Sequence, residues 1–243
     1  MPSDIFNKDY KYIPHDRILS YEEIIDICKL LKKIGLKKIR ITGGEPLLRK
    51  NIDKLIYKLK TEVMIDYISI TTNGSLLTKE KIYQLKSSGL DSITLSLDTL
   101  NRRKIKKING TKININLAQT LGNIEKYFGS VKTNTVVIKD ENDNEIKDIV
   151  EFMKKYKSEV RFIEYMDVGE SNDWNLNKVI PSKDLIERLS MEYDLEAQLT
   201  EASSTATKFT ISNSKVTLGF ISSITKPFLI FKYKKNSIEK KII

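Results

Sequence analysis

Lys37-Lys38-Ile39-Arg40-Ile41-Thr42-Gly43-Gly44-Glu45-Pro46-Leu47-Leu48-Arg49 is the stretch that decides how this chain folds. Residues 38–42 are short, alternating and largely β-branched, as a strand is, and two glycines then break the run. Just upstream, Ser20 and Glu23 have the spacing of a capping box. Apolar Ile24, Ile25, Ile27, Cys28, Leu31 and Ile34 follow at helical intervals until Gly35 stops them. A helix, a strand and a glycine turn are therefore expected in succession.

The same signals recur downstream. The pattern predicts a helix over 51–60, a strand over 67–71 running into Asn73-Gly74, and a helix opened by Thr78 and stopped by Gly89. It then predicts a strand over 92–97, a helix over 113–127, a strand over 131–138, a helix over 142–156 and a strand over 159–165. Strands alternating with helices, and rich in Ile, Val and Leu, imply a parallel sheet buried by helices outside it. An open doubly wound sheet and a barrel, complete or partial, both satisfy this pattern. Beyond about residue 170 the pattern changes to a polar loop at 171–178, a helix over 181–190 and a β-hairpin or strand pair over 206–224. The expected division is a barrel-like part over 1–165 and a C-terminal extension over 166–243, ending in a basic tail at 226–243.

In parallel α/β sheets the working side chains sit at the C-terminal ends of the strands. Those ends read Arg40 to Pro46, Thr71-Thr72-Asn73-Gly74, Ser96-Leu97-Asp98, then Lys132 with Asn134, then Arg161, Glu164 and Met166. Gly43 and Gly44 expose backbone to a ligand, the cations suit phosphate or carboxylate, and Met166 offers a polarisable wall. Each also has an ordinary structural use. Gly-Gly and Asn-Gly are common turns, Ser96 can end a strand, Met166 can be core, and Lys132 can be a solvated lysine. Cys28 lies on an apolar helical stripe and reads as packing. His15, beside Pro14 and Asp16, has no second ligand near it, and Trp174 can plug a groove.

Composition excludes several classes. With one cysteine and one histidine, these residues build neither a disulfide framework nor a multi-histidine or all-cysteine metal site. No run approaches the roughly 18 apolar residues of a membrane span, and no secretory signal opens the chain. The net charge is +10, but residues 226–243 hold six lysines against Glu239 alone, so half of it lies in the tail. Thirty-five lysines against seven arginines, abundant isoleucine and only four alanines reflect an A+T-rich gene. Charge alone therefore favours coding bias over a nucleic-acid surface, which stays the weakest of the functional readings. No Gly-x4-Gly-Lys-Ser/Thr loop is present, which argues against an ordinary GTPase. The compositional lean fits a low-G+C bacterium or a plastid gene, so cytoplasm or plastid stroma is the expected compartment.

The segment 37–49 resembles the glycine-rich segment of radical S-adenosylmethionine enzymes. Thr71-Thr72-Asn73-Gly74, Ser96-Leu97-Asp98, Lys132-Thr133-Asn134-Thr135-Val136-Val137 and Arg161-Phe162-Ile163-Glu164-Tyr165-Met166-Asp167-Val168-Gly169 follow at matching intervals. Together they resemble the GTP 3′,8-cyclase family of molybdenum cofactor (molybdopterin) biosynthesis, from Met1 to about Phe228. The resemblance implies an incomplete (β/α)6 TIM-like barrel with a small C-terminal appendage. It implies S-adenosylmethionine at Gly44, Ser96 and Met166, and GTP at Arg40, Thr71 and Lys132. It also implies a lyase reaction in which a 5′-deoxyadenosyl radical takes the ribose 3′ hydrogen of GTP and the ribose carbon closes on C8. A homodimer, and cyclic pyranopterin monophosphate synthase as pathway partner, follow from the same resemblance.

The family holds two [4Fe-4S] clusters through three cysteines each. The first set precedes a Met-Pro dipeptide, and this chain begins Met1-Pro2; the second follows the segment matching 219–228, and here Leu229 comes next. The expectation is a form truncated at both ends, with the cluster ligands absent and catalysis lost or dependent on a partner. The alternative function is a non-catalytic nucleotide-binding remnant of that enzyme.

Overall fold

The computed structural model describes residues 17–101, 103–105, 116–167, 174–199 and 205–225. Helix α1, Tyr21–Lys33, starts as its sequence dictates: Glu23 N–H donates to Ser20 Oγ at 3.1 Å and Ser20 N–H to Glu23 Oε2 at 2.6 Å. Ser20→Ala removes half of that box and is expected to lower stability by about 1 kcal/mol in urea unfolding. No change in midpoint would show that tertiary packing alone holds the helix start.

Strands β1 (Lys38–Ile41), β2 (Tyr67–Thr72), β3 (Ser92–Ser96), β4 (Val131–Val137) and β5 (Ser158–Glu164) alternate with α2 (Ile52–Thr61), α3 (Lys79–Ser87), α4 (Leu117–Phe128) and α5 (Ile146–Met153). Helix α6 (Ser182–Ser190) and strands β6 (Leu195–Ala197), β7 (Thr207–Ile211) and β8 (Val216–Ile221) complete the described chain. Most bounds lie within two residues of those read from the sequence. The exceptions are 113–127, whose helix starts only at Leu117 after the cap Asn116, and 142–156, which splits into a 3-10 turn, Asp143–Glu145, and the shorter α5. Asn142 causes the split by spending its side chain on the backbone: Ile138 N–H donates to its Oδ1 at 2.8 Å. Residues 113–115, His15 and the tail 226–243 lie outside the described residues.

All eight strands form one sheet in the order β1-β2-β3-β4-β5-β8-β7-β6. Neighbours are parallel from β1 through β5 and on to β8, and the β8–β7 and β7–β6 pairs are antiparallel. The hairpin foreseen at 206–224 therefore does more than append itself. Its outgoing strand β8 becomes the sixth parallel strand, with Ser158 facing Val216 and Ile163 facing Ile221. Six parallel strands with helices outside, not closed on themselves, are the incomplete (β/α)6 barrel. The short strand β6 was not visible in the sequence.

The two faces of this sheet differ sharply. Ile68, Ile70, Ile93, Leu95, Val131, Val160, Phe162, Val216, Leu218 and Phe220 are buried under the helices, and Phe162 and Phe220 meet across β5 and β8 at 5.9 Å between ring centroids. The intervening residues, which the register places together on the other face, are Arg40, Ser69, Thr71, Thr94, Ser96, Lys132, Asn134, Glu159, Arg161 and Gly219. A closed barrel fills that interior with branched aliphatics. Here it is polar, so the inner face is built for something other than packing.

Candidate functional site

The mouth of the partial barrel is shaped by polar side chains that tie loop to loop. Glu45, in the glycine-rich turn, accepts from Leu47 N–H at 3.1 Å, Thr72 Oγ1–H at 2.7 Å and Asn73 N–H at 2.8 Å. It thereby fastens the exit of β1 to the exit of β2. Gly43 takes φ +145°, and a Cβ built on it or on Gly44 would meet nothing within 4 Å. The two bare residues thus face open space at the strand end, where a ligand can lie against backbone.

Asp98, just past β3, continues the ladder after the strand has ended: its Oδ1 accepts Val136 N–H at 2.8 Å. Asn142 Nδ2 then bridges Asp98 O and Val136 O, both at 2.8 Å. Burial pushes the Asp98 carboxyl up to about 6, against the opposing pull of the Val136 hydrogen bond. At the end of β5, Glu164 is fully buried and accepts from Ser182 N–H (2.7 Å), Ile224 N–H (2.9 Å), Thr225 N–H (2.9 Å) and Thr225 Oγ1–H (2.6 Å). Burial alone would raise its carboxyl, but these donors outweigh it and hold the pKa below the ordinary value.

Inside this rim the cations converge. Lys132 Nζ donates to Tyr67 Oη at 3.4 Å and lies 5.9 Å from the centre of that ring, while Tyr67 Oη donates to Ser92 Oγ at 2.8 Å. Arg40 has its pKa lowered by desolvation first and by the charge of Arg161 second, with Tyr67 and Glu159 acting the other way. The four groups therefore share one electrostatic neighbourhood. Arg161 Nε donates to Glu159 Oε1 at 2.7 Å, and Lys208 Nζ, from β7, reaches the same oxygen at 3.0 Å. Arg40, Lys132, Arg161 and Lys208 share this face with one half-buried carboxylate, Glu159, which leaves it net positive. Such a face suits a polyanion.

Two buried atoms on this face also lack partners. Thr71 Oγ1 and Asn134 Oδ1 make no hydrogen bond among the described residues. Buried polar atoms are almost always satisfied, so these two are exceptions, as are Thr133 Oγ1 and Ser182 Oγ away from this face. Among the sequence candidates, the fold gathers Arg40, Lys132 and Thr71 on the inner face with Ser96, whereas Gly44 lies in the rim turn and Met166 is 42% exposed just past β5. Tyr67, Glu159 and Lys208 belong to the same face and were not singled out, because they sit below the strand ends.

The group implied by resemblance can be tested against these residues. S-adenosylmethionine fits: the bare Gly43-Gly44 backbone offers donors and acceptors with open space before them, and Met166 is part-exposed beside the rim. An iron–sulfur cluster does not fit. Cys28 is the single cysteine of the sequence, and it is buried on α1 in the hydrophobic core, with burial raising its pKa. No cluster of three His, Cys, Asp or Glu side chains suited to a metal occurs among the described residues.

Comparison with known proteins agrees with the geometry. The Radical SAM superfamily pattern matches residues 5–153, and the Molybdenum Cofactor Synthesis C pattern matches residues 158–229. A GTP 3′,8-cyclase of Staphylococcus saprophyticus is 35% identical over 232 residues, 94% of this chain and 67% of the relative. A second, from Aquifex aeolicus, is 36% identical over 222 residues, 91% of this chain and 69% of the relative. Streptococcus suis SuiB bound to its precursor peptide SuiA has a similar fold, with a TM-score of 0.60 and 22% identity over 76% of this chain and 40% of that one. Native anSMEcpe with bound AdoMet superposes with a TM-score of 0.57 at 18% identity, covering 77% of this chain and 54% of that one. With both patterns matched in order and a third of the residues shared along two thirds of its relatives, the chain belongs to the radical SAM superfamily and, within it, to the GTP 3′,8-cyclase family of molybdenum cofactor synthesis.

Proposed function

We propose that the polar inner face of this partial barrel binds GTP, with Arg40 and Lys132 on the triphosphate and Thr71 as a neutral hydrogen-bonding group beside them. S-adenosylmethionine would lie against Gly44, Ser96 and Met166 at the rim. The observation that carries this reading is the placement of Arg40, Lys132 and Arg161 on the same inner face of the sheet, with Lys132 held against Tyr67. Guanidinium and ammonium groups held at a strand mouth bind phosphate through charge-assisted hydrogen bonds. The orphaned Thr71 Oγ1 supports the same assignment, since a ligand group within reach would satisfy it.

Held against Gly44, Ser96 and Met166, S-adenosylmethionine would supply one-electron radical chemistry to the bound nucleotide. The residues present supply no cluster to deliver an electron, so the proposed function of this chain is binding and orientation. Tyr67 and Ser92 hold Lys132 in place, Glu45 fixes the glycine turn, and Asp98 with Asn142 keeps the ends of β3 and β4 together. Cys28 is buried in the core and takes no part in these roles. We further infer a soluble setting in cytoplasm or plastid stroma, a homodimer, and cyclic pyranopterin monophosphate synthase as the next enzyme acting on the family's product. The support for these is the family relationship and the A+T-rich composition; no helix among the described residues is long and apolar enough to cross a membrane.

Titration calorimetry with GTP and with duplex DNA tests the central reading. GTP is expected to bind, and Arg40→Ala and Lys132→Ala are each expected to weaken it about tenfold, the scale of one charge-assisted contact. Submicromolar DNA binding that falls steeply with salt, without a GTP signal, would replace this reading with a nucleic-acid function.

A further inference from the structure

The tightest ion-pair network on the inner face centres on an acid, Glu159, that neither reading of the sequence assigned to the site. Glu159 and Arg161 lie two residues apart on β5, on the same face, with side chains only 15% and 13% exposed. Glu159 Oε1 accepts Arg161 Nε–H at 2.7 Å and lies 3.0 Å from Lys208 Nζ of the C-terminal hairpin. Binding through Nε turns the guanidinium back along β5 and leaves its terminal N–H groups as the remaining donors. This conformation needs room on the neighbouring strand. Arg161 faces Gly219 in the β5–β8 register, and a Cβ at Gly219 would stand 3.2 Å from Arg161 Cγ and 3.6 Å from Ala206 Cβ. The aliphatic stem of Arg161 therefore lies on a bare glycine, and any larger residue would lift it.

We propose that Glu159 and Gly219 are positioning residues that together aim the Arg161 guanidinium into the inner face that also carries Arg40, so that the two grip the phosphate chain of a nucleoside triphosphate. This rests on the nucleotide-binding reading above. Two guanidinium groups held near each other repel, and an anion between them removes that repulsion. Glu159 holds one of the pair, and Lys208 shares its charge, so the hairpin brought in by β8 takes part in the site. Gly219 is required for lack of a side chain rather than for backbone freedom.

The two residues give independent tests with inorganic tripolyphosphate as the probe and the full chain as the sample. Glu159→Gln adds one unit of positive charge, which by charge alone would tighten anion binding. The expected result is the reverse, binding about tenfold weaker, on the scale of one charge-assisted hydrogen bond. Gly219→Ala alters no charge and is expected to weaken binding to a similar degree by displacing the Arg161 stem. NMR of the arginine Nε–Hε groups reads the geometry without any ligand. A slowly exchanging, hydrogen-bonded Arg161 signal is expected in the wild-type chain, lost in Glu159→Gln and shifted in Gly219→Ala.

If both variants bind tripolyphosphate as tightly as wild type, or more tightly, the positioning role is wrong while nucleotide binding stands. The same holds if the Nε–Hε signal is indifferent to Glu159. A wild-type chain that binds neither tripolyphosphate nor GTP overturns the nucleotide reading itself and this proposal with it. Should one variant fail to fold, the other decides the question alone.

Discussion

Replacing Glu164 with alanine is expected to cost about 3–4 kcal/mol of folding free energy at neutral pH, because several backbone donors lose one acceptor at once. The carboxylate takes hydrogen bonds from Ser182, from Ile224 and twice from Thr225, and it is the group that fastens the exit of β8 and the start of α6 to the end of β5. The Ser182 N–H is buried and finds no water when the acceptor leaves; those of Ile224 and Thr225 are partly reached by solvent, which moderates the loss. Glu164→Gln keeps one acceptor oxygen but turns an NH2 group toward N–H donors, and so recovers only part of the difference. The sign of the pH dependence is fixed. A carboxyl whose folded pKa lies below its ordinary 4.5 contributes stability above that value and loses it as the pH falls through the folded pKa. The gap between wild type and Glu164→Gln in urea unfolding should therefore narrow on acidification. Amide exchange at residues 224–225 should quicken in Glu164→Ala well before exchange in β2 and β3. A midpoint within about 0.5 kcal/mol of wild type would mean that Glu164 holds nothing.

What could be read in advance, and what could not, follows from the range of each interaction. The helix-then-strand order was legible because Ser20 and Glu23 cap a helix locally, and because Gly35 and Gly89 end helices through their own backbone. The glycine-rich rim was legible for the same reason. The role of β8 was not. Residues 216–221 read as half of a hairpin, and nothing local says that their other edge pairs in parallel with β5. Tyr67, Glu159 and Lys208 lie below the strand ends, where functional side chains of parallel sheets are expected, although a signal for them was present. In the first halves of β4 and β5 the residues of one face are strongly polar: Lys132 and Asn134, then Glu159 and Arg161. In a sheet covered by helices on one face, that pattern already says the other face is not packed. Glu164 and Asp98 were visible as acids at strand ends. Their opposite pKa shifts depend on how many donors surround each one, which only the fold supplies.

That contrast makes Asp98 the second large effect, and one of unusual sign. Asp98→Asn is expected to stabilise the chain at pH 7 by about 2–3 kcal/mol. The buried carboxyl titrates near 6 against an ordinary 3.8, and each whole pH interval of such a difference corresponds to about 1.4 kcal/mol. Since the folded pKa lies above the unfolded one, the folded chain holds its proton more tightly between those two values. Stability is then full below about pH 4 and falls as the pH rises toward about 6, which is opposite to the behaviour of Glu164. Asparagine keeps an oxygen for Val136 N–H and carries no charge to bury, so it removes the penalty without orphaning the donor. Urea unfolding at pH 4 and pH 7 decides the matter: the advantage of the variant should be present at the higher pH and nearly absent at the lower. A variant less stable than wild type at both values would show that the ionised carboxylate is needed where it sits. It would then join Glu159 as an acid that the inner face and its rim keep charged to hold their polar groups in place.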